Sequence, residues 1–149
     1  METIDPRKAA AVWQRVHAAP PGRPEPHQLL AWIQDYLWEL ELYRLLGRQN
    51  PGRKERLNQL TSLVREQIQC LKGMYRMITD QIPQIPRTQS QSGPHISAVR
   101  KCCAVQLQHL TQYEACLKDP EYGHVFSVLL RRERERCASG LTLLADLPE

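Results

Sequence analysis

The residues best suited to chemistry in this sequence lie in a short pattern that occurs twice. The segments "EQIQCLKG" (residues 66–73) and "ERERCASG" (residues 133–140) both fit Glu-x-x-(Gln/Arg)-Cys-x-x-Gly. On a helix, positions three apart share a face, so the Glu and the fourth residue of each copy can reach one site. That fourth residue is Gln69 in the first copy and Arg136 in the second. Since arginine stays protonated and is not a metal ligand, the second copy favours an ion pair over metal chemistry.

The composition predicts that helices position these residues. Of the 149 residues, 42% are hydrophobic, which suffices for one domain with a buried core. Leu, Gln and Arg, which are good helix formers, are abundant, and the β-branched runs typical of strands are absent. We therefore expect an all-α protein.

Proline-rich breaks divide the chain into helices. Residues 1–26 are predicted to form a short N-terminal helix, with Asp5 as its N-cap, and a Pro-rich connector. Residues 27–149 are predicted to form a four-helix bundle. Its parts are a first hairpin over 27–78, a long crossover loop over 79–95 and a second hairpin over 96–149.

The two predicted hairpins resemble each other beyond the octet. The matched pairs are Tyr43 with Tyr113, 70 residues apart, Asn50-Pro51 with Asp119-Pro120, 69 apart, and Glu66 with Glu133, 67 apart. This order favours an internal duplication over chance similarity between two amphipathic helices. Gly73 and Gly140, which end the two octets, are expected to allow close helix–helix approach.

Over residues 27–145 this pattern resembles the ferritin-like superfamily, in particular the rubrerythrin-type bacterial proteins of about this size. In that family the first helix of each hairpin supplies a Glu seven residues before a recurrent aromatic, and the second helix supplies Glu-x-x-His. Four carboxylates and two imidazoles thereby hold a di-iron centre. The resemblance implies a ferritin-like bundle of two duplicated hairpins.

Carried over position by position, the resemblance implies a metal site that has lost most of its ligands. The corresponding positions are Tyr36 and Gln106 in place of carboxylates, Gln69 and Arg136 in place of imidazoles, and the retained Glu66 and Glu133. A one-turn slip in the first helix would place Glu39 inward instead of Tyr36. Any metal would then be held by Glu39, Glu66 and Glu133.

Two arrangements of Arg136 remain open at this point. If Arg136 points inward, its charge can replace that of the metal by pairing with Glu66, Glu133 or both, because buried carboxylates need a cation. If it points outward, it forms only local pairs on a solvated face. A zinc site built from the cysteines and His109 is a weaker alternative, since none of these residues has a standard zinc spacing.

Our leading expectation is a non-catalytic structural or partner-binding protein without a cofactor. The alternative is a rubrerythrin-like, metal-dependent oxidoreductase or metal-binding protein with a degenerate site that uses iron or manganese. A third reading is a basic regulatory module that binds an acidic partner. The expected partner is an unidentified protein or a second copy of the chain. The net charge of +4 is too mild to favour nucleic acid. The absence of an apolar span or a signal sequence leads us to expect no membrane association and a cytoplasmic location.

Overall fold

The computed structural model describes residues 5–9, 19–86 and 95–146, and the side chains of the last segment from 96 to 142. These residues are helical throughout, apart from turns and connecting segments, and contain no strand. Four long helices account for most of them. They are α1 (Pro26–Gln49), α2 (Lys54–Thr79), α3 (His95–Cys116) and α4 (Gly123–Asp146). A 3₁₀ turn, Pro51–Arg53, separates α1 from α2. The all-α prediction is therefore confirmed for the described residues.

Sequence signals account for the helix ends. Pro26 opens α1, where the absence of its N–H costs nothing. Asp80 ends α2 in a left-handed conformation, with φ of 56°. Asp119 accepts hydrogen bonds from the backbone of Glu121 and Tyr122 in the turn after α3, and α4 begins only at Gly123.

The four helices pack in a ring, in which α1 contacts α2 and α3, and α4 contacts α3 and α2. Trp32 meets Gln112 near the start of α1, whereas Glu39 meets Gln106 further along, so α1 and α3 are antiparallel. Because α2 is also antiparallel to α1, α2 and α3 run in the same direction. The end of α2 and the start of α3 therefore lie at opposite ends of the bundle, and residues 87–94 lie outside the described part.

The Pro-rich connector docks on the turn between α3 and α4. Arg23 donates to both Asp119 oxygens, at 2.6 and 3.1 Å, and its guanidinium lies 4.8 Å from the centre of the Tyr122 ring. Within residues 5–9, Asp5 accepts a hydrogen bond from the Arg7 amide, as an N-cap does, and residues 6–9 are helical. The rest of the predicted N-terminal helix lies outside the described residues.

Candidate functional site

The centre of the bundle contains polar side chains where a core is usually apolar. Helices α1 and α3 contribute them with the same spacing of three and four residues, which keeps them on one face of each helix. Eight buried polar and phenolic residues are linked there, namely Tyr36, Glu39 and Tyr43 on α1, Gln106, His109 and Tyr113 on α3, and Glu133 and Arg136 on α4. We call these eight residues the core polar cluster.

Arg136 joins the two buried carboxylates of this cluster. Its Nε donates to Glu39 at 2.9 Å and its Nη2 donates to Glu133 at 2.7 Å. All three residues are at most 2% exposed. Burial alone would lower the pKa of Arg136, but the charges of Glu39 and Glu133 outweigh it and raise the pKa well above its ordinary value. The guanidinium is therefore permanently charged.

His109 supplies the second cation. Its Nδ1 lies 3.0 Å from Glu133 Oε1 and its Nε2 lies 2.8 Å from Asp35 Oδ2. Burial lowers the pKa of His109, but the hydrogen bonds with Asp35 and Glu133 outweigh it and raise the pKa to about 9. The ring is therefore protonated at pH 7 and donates from both nitrogens. Arg136 and His109 thus supply two positive charges to three carboxylates, the buried Glu39 and Glu133 and the partly exposed Asp35.

Two tyrosines complete the hydrogen bonding of the carboxylates, and a third tyrosine bonds to one of them. Tyr43 donates to Glu39 at 2.7 Å, and Tyr36 donates to Glu133 at 2.7 Å. The Tyr36 and Tyr113 hydroxyls also hydrogen-bond to each other. Burial, together with nearby carboxylates, raises the pKa of all three phenols well above the ordinary value, so they remain neutral donors.

Glu133 accepts hydrogen bonds from three side chains, as many as Glu39 does. It accepts from His109, Tyr36 and Arg136. Burial on its own would raise the pKa of Glu133, yet the hydrogen bond from His109 and the positive charge of Arg136 lower it. A carboxylate with this many donors is stable in a buried position, whereas the same group alone would be costly.

Three buried polar atoms in the described interior lack a hydrogen-bond partner, namely Arg136 Nη1, Gln106 Oε1 and Gln67 Oε1. Gln106 uses its amide nitrogen on Glu39, at 3.3 Å, and Gln67 uses its own on the Leu129 carbonyl, at 3.4 Å. One donor and two acceptors are thus left in the same polar layer.

Four of the six positions implied by the resemblance converge in this cluster. Tyr36, Gln106, Glu133 and Arg136 are all buried and are connected directly or through Glu39. The sequence left open whether Tyr36 or Glu39 is the inward residue of α1. Both point inward, because positions three apart share a helix face.

The two positions taken from the first octet are misplaced. Glu66 is 59% exposed and pairs with Arg132 at 3.2 Å on the surface, so the expected pairing of Glu66 with Arg136 is wrong. Gln69 is also exposed. Both lie on the outer side of α2, because a shift of two residues rotates a helical position by about 200°.

Helices α2 and α4 can be aligned with an offset of 69 residues, the spacing of the two turn prolines, or with the octet offset of 67. The buried positions of the two helices coincide better with the offset of 69. This offset aligns Val64 with Glu133 and Gln67 with Arg136, and all four residues are buried. The octet is therefore not a structurally equivalent unit. Gly140 packs closely, since a Cβ there would lie 3.2 Å from Cys103 Sγ, but Gly73 is exposed and has no atom within 4 Å of such a position. The expected close approach at Gly73 is wrong.

Sequence reasoning missed His109 as a partner of Glu133. A signal was present, since His109 precedes Tyr113 by four residues, as Glu39 precedes Tyr43. At the 70-residue spacing of the two tyrosines, His109 is thus the counterpart of Glu39.

The carboxylate oxygens and imidazole nitrogens of this cluster do not fit a di-iron site as metal ligands. Arg136 bonds to one oxygen each of Glu39 and Glu133, and both His109 nitrogens are used by carboxylates. Among the described residues no group of three or more His, Cys, Asp or Glu side chains is arranged to hold a metal ion. The zinc alternative has no geometric support there either.

Comparison with models of protein families, with curated proteins and with solved structures finds no significant match to this chain. The class of protein is therefore defined by its own architecture, an all-α chain with a charged and hydrogen-bonded core. Within the part of the chain that the structure describes, no helix is long and apolar enough to cross a membrane.

Proposed function

We propose that this chain is a non-catalytic, ferritin-like structural or partner-binding protein in which a charge cluster takes the place of a di-iron centre. The observation that carries the proposal is the position of Arg136, whose guanidinium bridges Glu39 and Glu133 at the centre of the bundle. A cation between two carboxylates performs the electrostatic role that a metal ion would have there.

The course of the chain supports the ferritin-like part of the proposal. Such folds pair two helical hairpins through one long crossover connection, and here α2 and α3 run in the same direction. With the corrected register of α2, the six ligand positions of the resemblance keep a single carboxylate, Glu133. They are Tyr36, Val64, Gln67, Gln106, Glu133 and Arg136.

Burial of the cluster supports a non-catalytic role. Glu39, Glu133, Arg136, Gln106 and His109 are each at most 2% exposed, so they offer almost no surface to a substrate in solution in this conformation. Their donors and acceptors are also largely used within the cluster. Such a network fixes one packing of the helices, which suits a scaffold.

Elemental analysis of the purified chain tests this proposal against a metal-dependent oxidoreductase. After aerobic expression in medium rich in iron and manganese, we expect well below one metal ion per chain. About two ions per chain, as di-iron bundles bind, would overturn the proposal. The control for the location of any metal is a pair of variants. Glu39→Gln would release a metal held in the core, whereas Glu66→Gln, on the surface, would not.

A further inference from the structure

A groove runs along the outer side of the first hairpin, between α1 and α2, close to the turn that joins them. Its volume is about 440 Å³. Its apolar surface comes from Leu37 and Leu40, which are only partly covered by the core, and the buried Leu57 also lines it. We call this feature the α1–α2 groove.

Cations surround this apolar floor. Arg44, Arg48, Lys54 and Arg65 line the groove, together with one acid, Glu41. Glu41 forms its ion pair with Arg44. Arg48, Lys54 and Arg65 are exposed, and no side-chain ion pair joins them to another described residue. Three positive charges are thus available along one groove.

The wider surface of this hairpin has the same sign. Residues 40–79 contain eight Lys and Arg residues but only three Glu, so this segment is more positive than the whole chain, whose net charge is +4. Such a concentration of charge on one hairpin attracts an oppositely charged partner and accelerates its association.

The dimensions of the groove suit a helix. The residues of α1 that line it extend from Leu37 to Arg48, a distance of about 17 Å at 1.5 Å per residue. This is about three turns of a partner helix, whose leucines can cover the apolar floor while its acidic side chains reach the cations on the rim.

We infer that the α1–α2 groove binds an acidic amphipathic helix of another protein. The inference rests on the proposed partner-binding function and adds the chemistry of the partner. A nucleic acid backbone would satisfy the cations but leave the leucines of the floor exposed to water. Apolar floor and basic rim together favour an acidic peptide.

A synthetic helix of about 18 residues, with leucines on one face and glutamates on the other, is the probe. Its binding to the full chain is measured by fluorescence anisotropy at about 50 mM and about 300 mM salt. The electrostatic screening length differs about 2.5-fold between these two conditions. We expect saturable binding that weakens at least tenfold at the higher salt. The same helix with lysines in place of glutamates is expected not to bind. Equal binding of both peptides would overturn the inference.

Charge-matched variants locate the binding site. The triple variant Arg48→Gln, Lys54→Gln, Arg65→Gln removes the rim, and we expect a Kd at least tenfold weaker. The control removes three exposed cations outside the groove, Arg76→Gln, Arg100→Gln and Arg131→Gln, and is expected to change Kd less than twofold. Equal loss in both variants would show only non-specific attraction and would overturn the inference.

The leucine floor separates a peptide from a nucleic acid. Leu37→Gln keeps the size of a floor residue but makes it polar, and we expect at least a fivefold weaker Kd for the peptide, with folding checked by circular dichroism. A single-stranded oligonucleotide is the competing probe. If it binds more tightly than the peptide and is unaffected by Leu37→Gln, the partner class is wrong.

Arg136 does not line this groove, so the two proposals fail separately. A chain that carries about two metal ions and still binds the peptide would overturn only the proposed function. A metal-free chain that does not bind the peptide would overturn only this inference.

Discussion

Replacing Arg136 by methionine removes the cation between the two buried carboxylates and keeps a side chain of similar length. Glu39 then loses a bond of 2.9 Å and keeps only Tyr43 and Gln106, while Glu133 loses one of 2.7 Å and keeps His109 and Tyr36. Removing one partner of a buried ion pair costs about 3–5 kcal/mol. We expect Arg136→Met to lower the free energy of unfolding at pH 7 by this amount.

Urea unfolding at pH 7 measures the effect. Adding Glu39→Gln and Glu133→Gln to the variant should recover much of the loss at pH 7, because neutral amides replace the unpaired charges.

Arg132→Met is the matched control, on the same helix. Arg132 pairs with Glu66 at the surface, and such pairs contribute about 0–1 kcal/mol. If Arg136→Met also stays within about 0.5 kcal/mol of wild type, as surface substitutions usually do, the buried ion pair does not exist in solution.

Two further outcomes follow from the same contacts. Because the folded pKa of His109 is about 9, above its ordinary 6.5, its contribution to stability is full below about pH 6.5 and is lost as the pH rises through 9. Urea unfolding should therefore show a decline above about pH 7 that His109→Gln lacks, and equal declines would contradict the assignment. In thermal unfolding, Gly73→Ala should stabilise by up to about 1 kcal/mol, whereas Gly140→Ala should not, since its Cβ would crowd Cys103; a comparable gain in both would contradict the corrected register.

Sequence periodicity was sufficient to predict the helices, because the spacing of apolar residues and the proline breaks are local signals. The predicted first hairpin, residues 27–78, matches the span of α1 and α2, from Pro26 to Thr79, within one residue at each end. Helix α4 begins at Gly123, three residues after Pro120, because Asp119 accepts backbone hydrogen bonds from Glu121 and Tyr122 in a turn. Its side chain is also held by Arg23 from the connector, a contact between residues far apart in sequence.

The candidate site could be predicted only in part, because its polar residues follow the periodicity of a core. Tyr36, Gln106 and Arg136 were placed through their spacing from an aromatic or a Glu. His109 was not, because its spacing of four residues from Tyr113 indicates the inner face of α3 but not that two carboxylates will contact its ring. Glu66 was misplaced because the two hairpins were aligned by the residue types shared in the octet and not by the spacing of their turns. The two alignments place different residues on the inner face of α2, and the pattern of buried residues shows which alignment is correct.

The claim that a guanidinium stands where a metal would be is tested most directly by metal linkage. The free energy of unfolding of the wild-type chain is measured in urea, without oxygen, with excess Fe²⁺, with excess Mn²⁺ and with a chelator. A native metal site would add about 2.7 kcal/mol at a metal concentration 100 times its Kd. With Arg136 already between Glu39 and Glu133, we predict the same unfolding midpoint in all three conditions. A midpoint that rises with either metal, and returns with the chelator, would contradict the account.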